Sequence, residues 1–336
     1  MDNKAKAKKG GLTPAEIVIS FLVIGIVGLI IIPLPTSLLD IFIVTNLTIA
    51  INILLITLFT KSVLEFSTFP TVLLITTMFK LGLNMSSTRS ILTTGNGGHV
   101  IEAFADVVAG ENYIVGIILF VIIMIVQLVV VTNGSGRVSE VSARFTLDAM
   151  PGKQMAIDSD LNSGAITEEQ ARQRRKDLQR EADFYGSMDG ASKFVKGDAI
   201  AGIIIVLVNL IGGTIIFTAK GDLSITDALS QFGKLAIGDG LVSSVPSLLI
   251  SLATGVIVTR SEDNSTFDAL RNPQLFKVVG VILLVLALVP GFPKIPFIAL
   301  SLAMFAANVL VKQKEEQRIK ERIKEEQTLA LQRKKE

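Results

Sequence analysis

The sequence predicts an all-α polytopic membrane protein with about eight transmembrane helices. A small, mainly helical cytoplasmic subdomain is expected between the fourth and fifth. Three observations carry this reading. Half of the 336 residues are hydrophobic and the mean hydropathy is +0.58, too apolar for a soluble domain of this size. Several apolar runs approach the roughly 20 residues that cross a bilayer's hydrocarbon core. The charge is concentrated rather than spread, above all in a polar island from Gly136 to Asp198 set between two apolar blocks.

The chain opens on a lysine-rich tail, residues 1–14, carrying Lys4, Lys6, Lys8 and Lys9. By the positive-inside rule such a tail stays in the cytoplasm. Residues 15–132 hold the first four spans: Ile17–Ile32, closed by Pro33 and Pro35; Leu38–Phe59, containing Asp40; Thr71–Leu83 after Pro70; and Tyr113–Val131. Proline suits a helix's first turn and cannot continue its interior. Ser86 to Glu111 reads as a long loop with Arg89 and the lone histidine, His99.

Residues 199–311 hold spans five to eight, Ala199–Phe217, Leu235–Thr259, Leu275–Leu288 and Lys294–Val311. The sixth is rich in serine and contains Gly238, Asp239, Gly240 and Pro246, so it reads as a broken helix facing the bundle. Lysine and arginine cluster in the island, the Arg260–Arg271 loop and the tail, which places both termini in the cytoplasm. Residues 312–336 read as a charged helical linker leading into a further cytoplasmic domain.

Residues 133–198 form the subdomain. Arg137, Arg144 and Asp148 fall on one helix face, with Glu140 and Arg144 spaced to pair. Met150-Pro-Gly-Lys153 is expected to break that helix. Asp158, Asp160, Asn162 and Glu169 match four positions of a calcium loop, but Ser163 stands where that loop requires glycine. Asx turns are the alternative. Thr167 with Gln170 forms a capping box for a helix starting at Glu168, with an apolar stripe of Ala171, Leu178, Ala182 and Tyr185. Lys193 and Asp198 mark the return to the membrane. Asp198 reads either as a cap on the fifth span or as a proton-exchanging carboxylate paired with Lys193. Asp239 is an intramembrane carboxylate in need of a partner, for which Asp40, Lys80 and Arg89 are candidates.

The absence of cysteine excludes disulfides and thiolate metal sites. With one histidine and no nucleophile–base set, an enzyme is not expected, nor a cofactor. The basic run from Arg172 to Lys176 lacks the aromatic platforms of a nucleic-acid surface. The Thr94–Gly98 stretch lacks the Gly-Lys-Ser/Thr ending of a phosphate loop.

Five runs together resemble one family. They are RFTLDAMPGKQMAID from Arg144 to Asp158, EADFYG from Glu181, MDGASKFV from Met188, GDAIAG from Gly197, and LGLN from Leu81 with Ser87-Thr-Arg89. Gly238-Asp-Gly240 extends the pattern into the second membrane block. The family is FHIPEP, the large export-gate proteins of type III secretion, and the resemblance is to its flagellar members without their C-terminal cytoplasmic domain. It implies an inner-membrane subunit at the flagellar basal body, coupling proton-motive force to export of unfolded flagellar proteins. It further implies a homo-oligomeric ring of about nine subunits, other export-gate membrane proteins as neighbours, and contact with the export ATPase and substrate–chaperone complexes through the missing domain. The charges it marks as ion-coupling candidates are Asp198, Lys193, Asp239, Asp148, Arg137, Arg144, Arg89 and Asp40. The alternative is an ion-coupled secondary transporter or channel with its site at the sixth helix.

Overall fold

Proline sets where several helices begin. Pro14 is the first residue of α1 (Pro14–Ile31), Pro35 precedes α2 (Thr36–Phe59), and Pro70 sits in the first turn of α3 (Phe69–Thr94). The computed structural model describes residues 14–60, 62–110, 113–259, 273–289, 292 and 294–333. The lysine-rich start, the loop after Thr259 and parts of the Pro290–Pro293 turn therefore lie outside the described residues. The remaining helices are α4 (His99–Ala109), α5 (Tyr113–Val126), α6 (Asn133–Asn162), α7 (Glu168–Ala219), α8 (Ile225–Val258), α9 (Pro273–Ala287) and α10 (Lys294–Arg333). A short 3-10 turn, Val63–Phe66, precedes α3. No strand occurs among the described residues.

Among those residues, five helices are long and apolar enough to cross a membrane: α2, α5 running into α6, α7, α8 and the first part of α10. The expected total of eight counts α1, α3 and α9 as well. Of these, α9 is only 15 residues long, and α3 is lengthened by polar residues such as Lys80, Asn84 and Arg89.

Several predicted interruptions do not occur. The long loop expected from Ser86 is helical, because α3 continues to Thr94 and α4 follows after four residues. The sixth span is not broken: α8 runs unbroken from Ile225 to Val258 with Pro246 inside it. The break expected at Met150–Lys153 is also missing, since α6 carries Pro151 within a 30-residue helix. Proline removes one backbone hydrogen bond per site, and in both helices the turns on either side hold the path.

The polar island is a hairpin built by extending two spans. α5 passes through a π-helical segment, Gln127–Thr132, directly into α6. A tight turn at Ser163–Thr167 reverses the chain, and α7 returns as one 52-residue helix. At about 1.5 Å per residue α7 is about 78 Å long, against about 30 Å of hydrocarbon. A single crossing thus needs well under half of α7. Its start is fixed by the expected capping box: Gln170 N donates to Thr167 Oγ1 at 3.2 Å and Thr167 N donates to Gln170 Oε1 at 2.9 Å. The stripe residues Ala171, Leu178 and Tyr185 are buried, and Ala171 and Leu178 pack with Ile157 across the hairpin.

The helical axis of the bundle is α8. Of its most apolar stretch 67% is buried in the protein, against 17% for α7 and 11% for α10, which makes it the centre and them the periphery. It packs on α2, α3, α4, α5, α6 and α7. The approach is close at Gly238 and Gly240. A side chain at Gly238 would run into the Ile101 carbonyl of α4, and one at Gly240 into the Phe120 ring of α5. Asp239 is therefore locked between two helix crossings. The island is docked as well: Phe184, Tyr185 and Met188 of α7 share a buried cluster with Phe66 of the 3-10 turn and with Phe69 and Leu73 at the start of α3.

Candidate functional site: a polar seam through α3, α7 and α8

Regular spacing on three helices sets the site. On α8, Asp239, Ser243, Ser247 and Ser251 recur every fourth residue and so lie on one face. Lys80, Asn84 and Ser87, four and then three residues apart, share a face of α3, and Asp198 and Asn209 share a face of α7. All nine are buried.

The seam is tiered. In the first tier Lys80 Nζ lies 2.5 Å from Asp198 Oδ2 and also donates to Ser247 Oγ. Ser247 Oγ is 3.0 Å from the same carboxylate oxygen. The other oxygen, Asp198 Oδ1, is buried without a hydrogen-bond partner. In the second tier Asn84 Nδ2 donates to Ser243 Oγ at 3.0 Å. In the third, Asn209 Nδ2 donates to Asp239 Oδ2 at 2.8 Å, and Ser87 lies beside the carboxyl. Unpartnered buried hydroxyls continue the line below Ser247, at Ser251 and Thr254 of α8 and at Thr132 and Ser139 where the π segment enters α6. From Asp239 to Thr254 is about 22 Å of helix, most of a bilayer's apolar thickness.

The π segment touches the first tier. Gln127 and Leu128 line one small cavity with Lys80, Asp198 and Ser243, and Gln127 Oε1 is buried without a partner. Such π turns inside α-helices recur at functional sites.

The sequence-marked charges separate into four groups. Asp198 and Asp239 enter the seam. Asp198 is not a helix cap, because α7 began 30 residues earlier, and its partner is not Lys193. Lys193 instead pairs with Asp189 at 2.8 Å on the outside of the same helix, because i,i+4 neighbours meet on a helix and i,i+5 residues do not. That bond raises Lys193's pKa, through the Asp189 hydrogen bond first and its charge second.

Asp40 and Arg89 are caps. Asp40 accepts from the backbone N–H groups of Val100 at 3.0 Å and His99 at 3.2 Å, at the start of α4, where an anion suits the helix dipole. Gly98 makes room for it: its φ is +92°, and a Cβ there would stand 2.7 Å from Asp40 Oδ1. Arg89 donates to the carbonyls of Ile31 at 2.6 Å and Ile30 at 3.3 Å, closing the end of α1. Neither pairs with Asp239. Lys80, the third candidate, pairs with Asp198.

Arg137, Arg144 and Asp148 lie exposed on α6. Arg137 pairs with Glu140 at 3.1 Å, in place of the expected Glu140–Arg144 pair.

The calcium-like set does not lie in a loop. Asp158 and Asp160 sit within helix α6, not in a loop, and are held by Arg175 at 2.5 Å and Arg174 at 3.0 Å from α7. Asn162 ends α6 and Glu169 lies in the first turn of α7, so the four residues are split between two helices and do not form a loop. The basic run is therefore a clasp across the hairpin, joined by Lys153 to Glu181 at 2.9 Å.

A buried ion pair in a hydroxyl-lined seam, among helices long and apolar enough to cross a bilayer and beside a polar helical hairpin, marks the class as a polytopic membrane protein. The chain belongs to the FHIPEP family, whose pattern matches residues 26–336. It is 54% identical over 254 residues to the flagellar biosynthesis protein FlhA of Bacillus subtilis, covering 76% of this chain and 38% of that protein. It is 50% identical over 294 residues to the putative flagellar export/assembly protein LfhA of Escherichia coli, covering 84% of this chain and 42% of the relative. It is 46% identical over 308 residues to the low calcium response locus protein D of Yersinia pestis, covering 89% and 44%. The chain thus spans about two-fifths of the length of these relatives. No solved structure gave a significant match.

Proposed function

We propose that this chain is the membrane part of a flagellar type III protein export gate, and that it couples proton-motive force to export of unfolded flagellar proteins. The observation that carries the coupling is the Lys80–Asp198–Ser247 cluster within the seam. A buried ion pair costs several kcal/mol per ion to desolvate and stabilises weakly overall. Its value here lies in having two states. A proton travelling the hydroxyl line reaches the unpartnered Asp198 Oδ1 and competes with Lys80 for the carboxylate. Neutral Asp198 releases Lys80, which moves toward Gln127 in the same cavity. The π segment then shifts, and α6 with it, because the two are one continuous helix.

In this reading the protein sits in the bacterial inner membrane at the flagellar basal body, with both ends and the hairpin in the cytoplasm. It works as a ring of about nine copies among other export-gate membrane proteins, and the export ATPase and substrate–chaperone complexes dock on a cytoplasmic domain beyond residue 336. The family membership and the names of the relatives support the export role. The transporter alternative rested on a broken sixth helix, and α8 is unbroken. The test is Asp198→Asn in the full-length protein at normal expression, scored by motility and by secreted flagellar protein. Loss of both supports the reading, and full retention refutes it.

A further inference from the structure

The outward face of α7 carries a pattern that the export reading does not use. Ile200, Ile204, Leu207, Ile211 and Ile215 recur every three or four residues and so form one stripe. Each is 44–61% exposed, whereas Asp198 is buried on the other side of the helix. At 1.5 Å per residue the stripe is about 23 Å long, a length that suits acyl chains.

One turn before the stripe the same face changes character. Lys193 and Lys196 are exposed there. Lys196 forms no ion pair among the described residues. Lys193 reaches Asp189 at 2.8 Å, yet its side chain is 74% exposed. Glu140 of α6, the other carboxylate whose charge acts on Lys193, is held by Arg137. Lys193, Lys196 and Arg137 against Asp189 and Glu140 leave one net positive charge. Between the lysines and Ile200 stands Gly197, where a Cβ would meet no atom within 4 Å. Glycine inside a helix is unfavourable against alanine, and no described neighbour on this side of α7 requires it. At the far end of the stripe Lys220 is already engaged, 5.2 Å from the centroid of the Phe217 ring.

We propose that the Lys193–Gly197 turn of α7 binds the head of one monoanionic phospholipid from the surrounding bilayer. Lys193 and Lys196 pair with the phosphodiester, the gap over Gly197 takes the glycerol, and the acyl chains run along Ile200, Ile204 and Leu207. A lipid is selected over a soluble phosphate because the cations stand directly on an exposed apolar stripe. Lysines at such a boundary keep their charge at the headgroups while their methylene stems cover apolar surface. The site faces away from the Lys80–Asp198 pair, so it holds or fails independently of proton coupling there.

The test uses the full-length protein in phosphatidylcholine bilayers, with spin-labelled phosphatidylglycerol or phosphatidylcholine at constant ionic strength. Electron spin resonance reads the label immobilised on the protein. It should show a saturable component in which phosphatidylglycerol is favoured about fivefold or more, since each lysine near the surface is worth about that factor for an anionic lipid. Lys193→Gln with Lys196→Gln should abolish the preference. Arg172→Gln with Lys176→Gln removes the same charge about 30 Å further along α7 and should leave it intact. Gly197→Leu keeps every charge and suits a helix better, yet should lower the preference by filling the gap. Inorganic phosphate at matched ionic strength should not compete. Equal association of the two lipids with the wild type overturns the proposal. So does an undiminished preference in the lysine double variant or in Gly197→Leu, an equal loss in the Arg172 and Lys176 control, or displacement by inorganic phosphate.

Discussion

Lys80 of α3 and Asp198 of α7 meet at 2.5 Å with side chains only 4% and 3% exposed. They are separated by 118 positions in sequence. The pair joins the membrane bundle to the helix that becomes the hairpin, and most of the account follows from its burial.

Removing one partner should cost more than removing both. Lys80→Met leaves a buried carboxylate unpaired and should destabilise the protein by about 3–5 kcal/mol, whereas Lys80→Met with Asp198→Leu should recover most of that loss. Thermal unfolding of the two single variants and the double variant measures it. Export should stay lost in the double variant, which separates stability from function.

The aspartates of the apparent calcium loop should be indifferent to metal. Asp158 and Asp160 are already bound by Arg175 and Arg174, so EDTA or added Ca²⁺ should leave the melting temperature unchanged. These pairs are half exposed and individually weak, worth about 0–1 kcal/mol. Raising salt should therefore loosen the hairpin tip only slightly, as read by limited proteolysis near Gly164.

The hairpin's register depends on its cap. Thr167→Ala removes the acceptor for Gln170 N and should cost about 1 kcal/mol. Faster amide exchange should be confined to the first turn of α7, while the buried cluster around Met188 stays protected.

Lys193 should not titrate during export. Its pKa is raised by Asp189, so its contribution is complete below the unfolded-state value of about 10.4 and is lost only as pH rises through the still higher folded value. Lys193→Arg should thus leave the export–pH profile unchanged between about pH 6 and 8.

Helix composition made much of this legible. The apolar runs, the capping box at Thr167 and the stripe of Ala171, Leu178 and Tyr185 all reappear as structure. Continuity was harder to read. Gly, Pro and Ser at Met150–Lys153 and in α8 are weak helix formers locally, yet tertiary packing carries the helices through them. The glycines around Asp239 break nothing; they admit α4 and α5. Partner choice was the other failure. Lys193 lies close to Asp198 in sequence but on another face of the helix, while Lys80 is distant in sequence and adjacent in space. The four-residue spacing of Asp239, Ser243, Ser247 and Ser251 was the available signal for the seam. No comparable pattern pointed to Gln127, whose role depends on a π turn.

The central claim is that Asp198 transmits ion entry to the hairpin. The most direct measurement is hydrogen exchange of the full chain in proteoliposomes, with and without an imposed proton gradient. The account predicts a gradient-dependent change in exchange from Gln127 through Asn162 in the wild type, abolished by Asp198→Asn. The same response in Asp198→Asn, or none in the wild type, would contradict it.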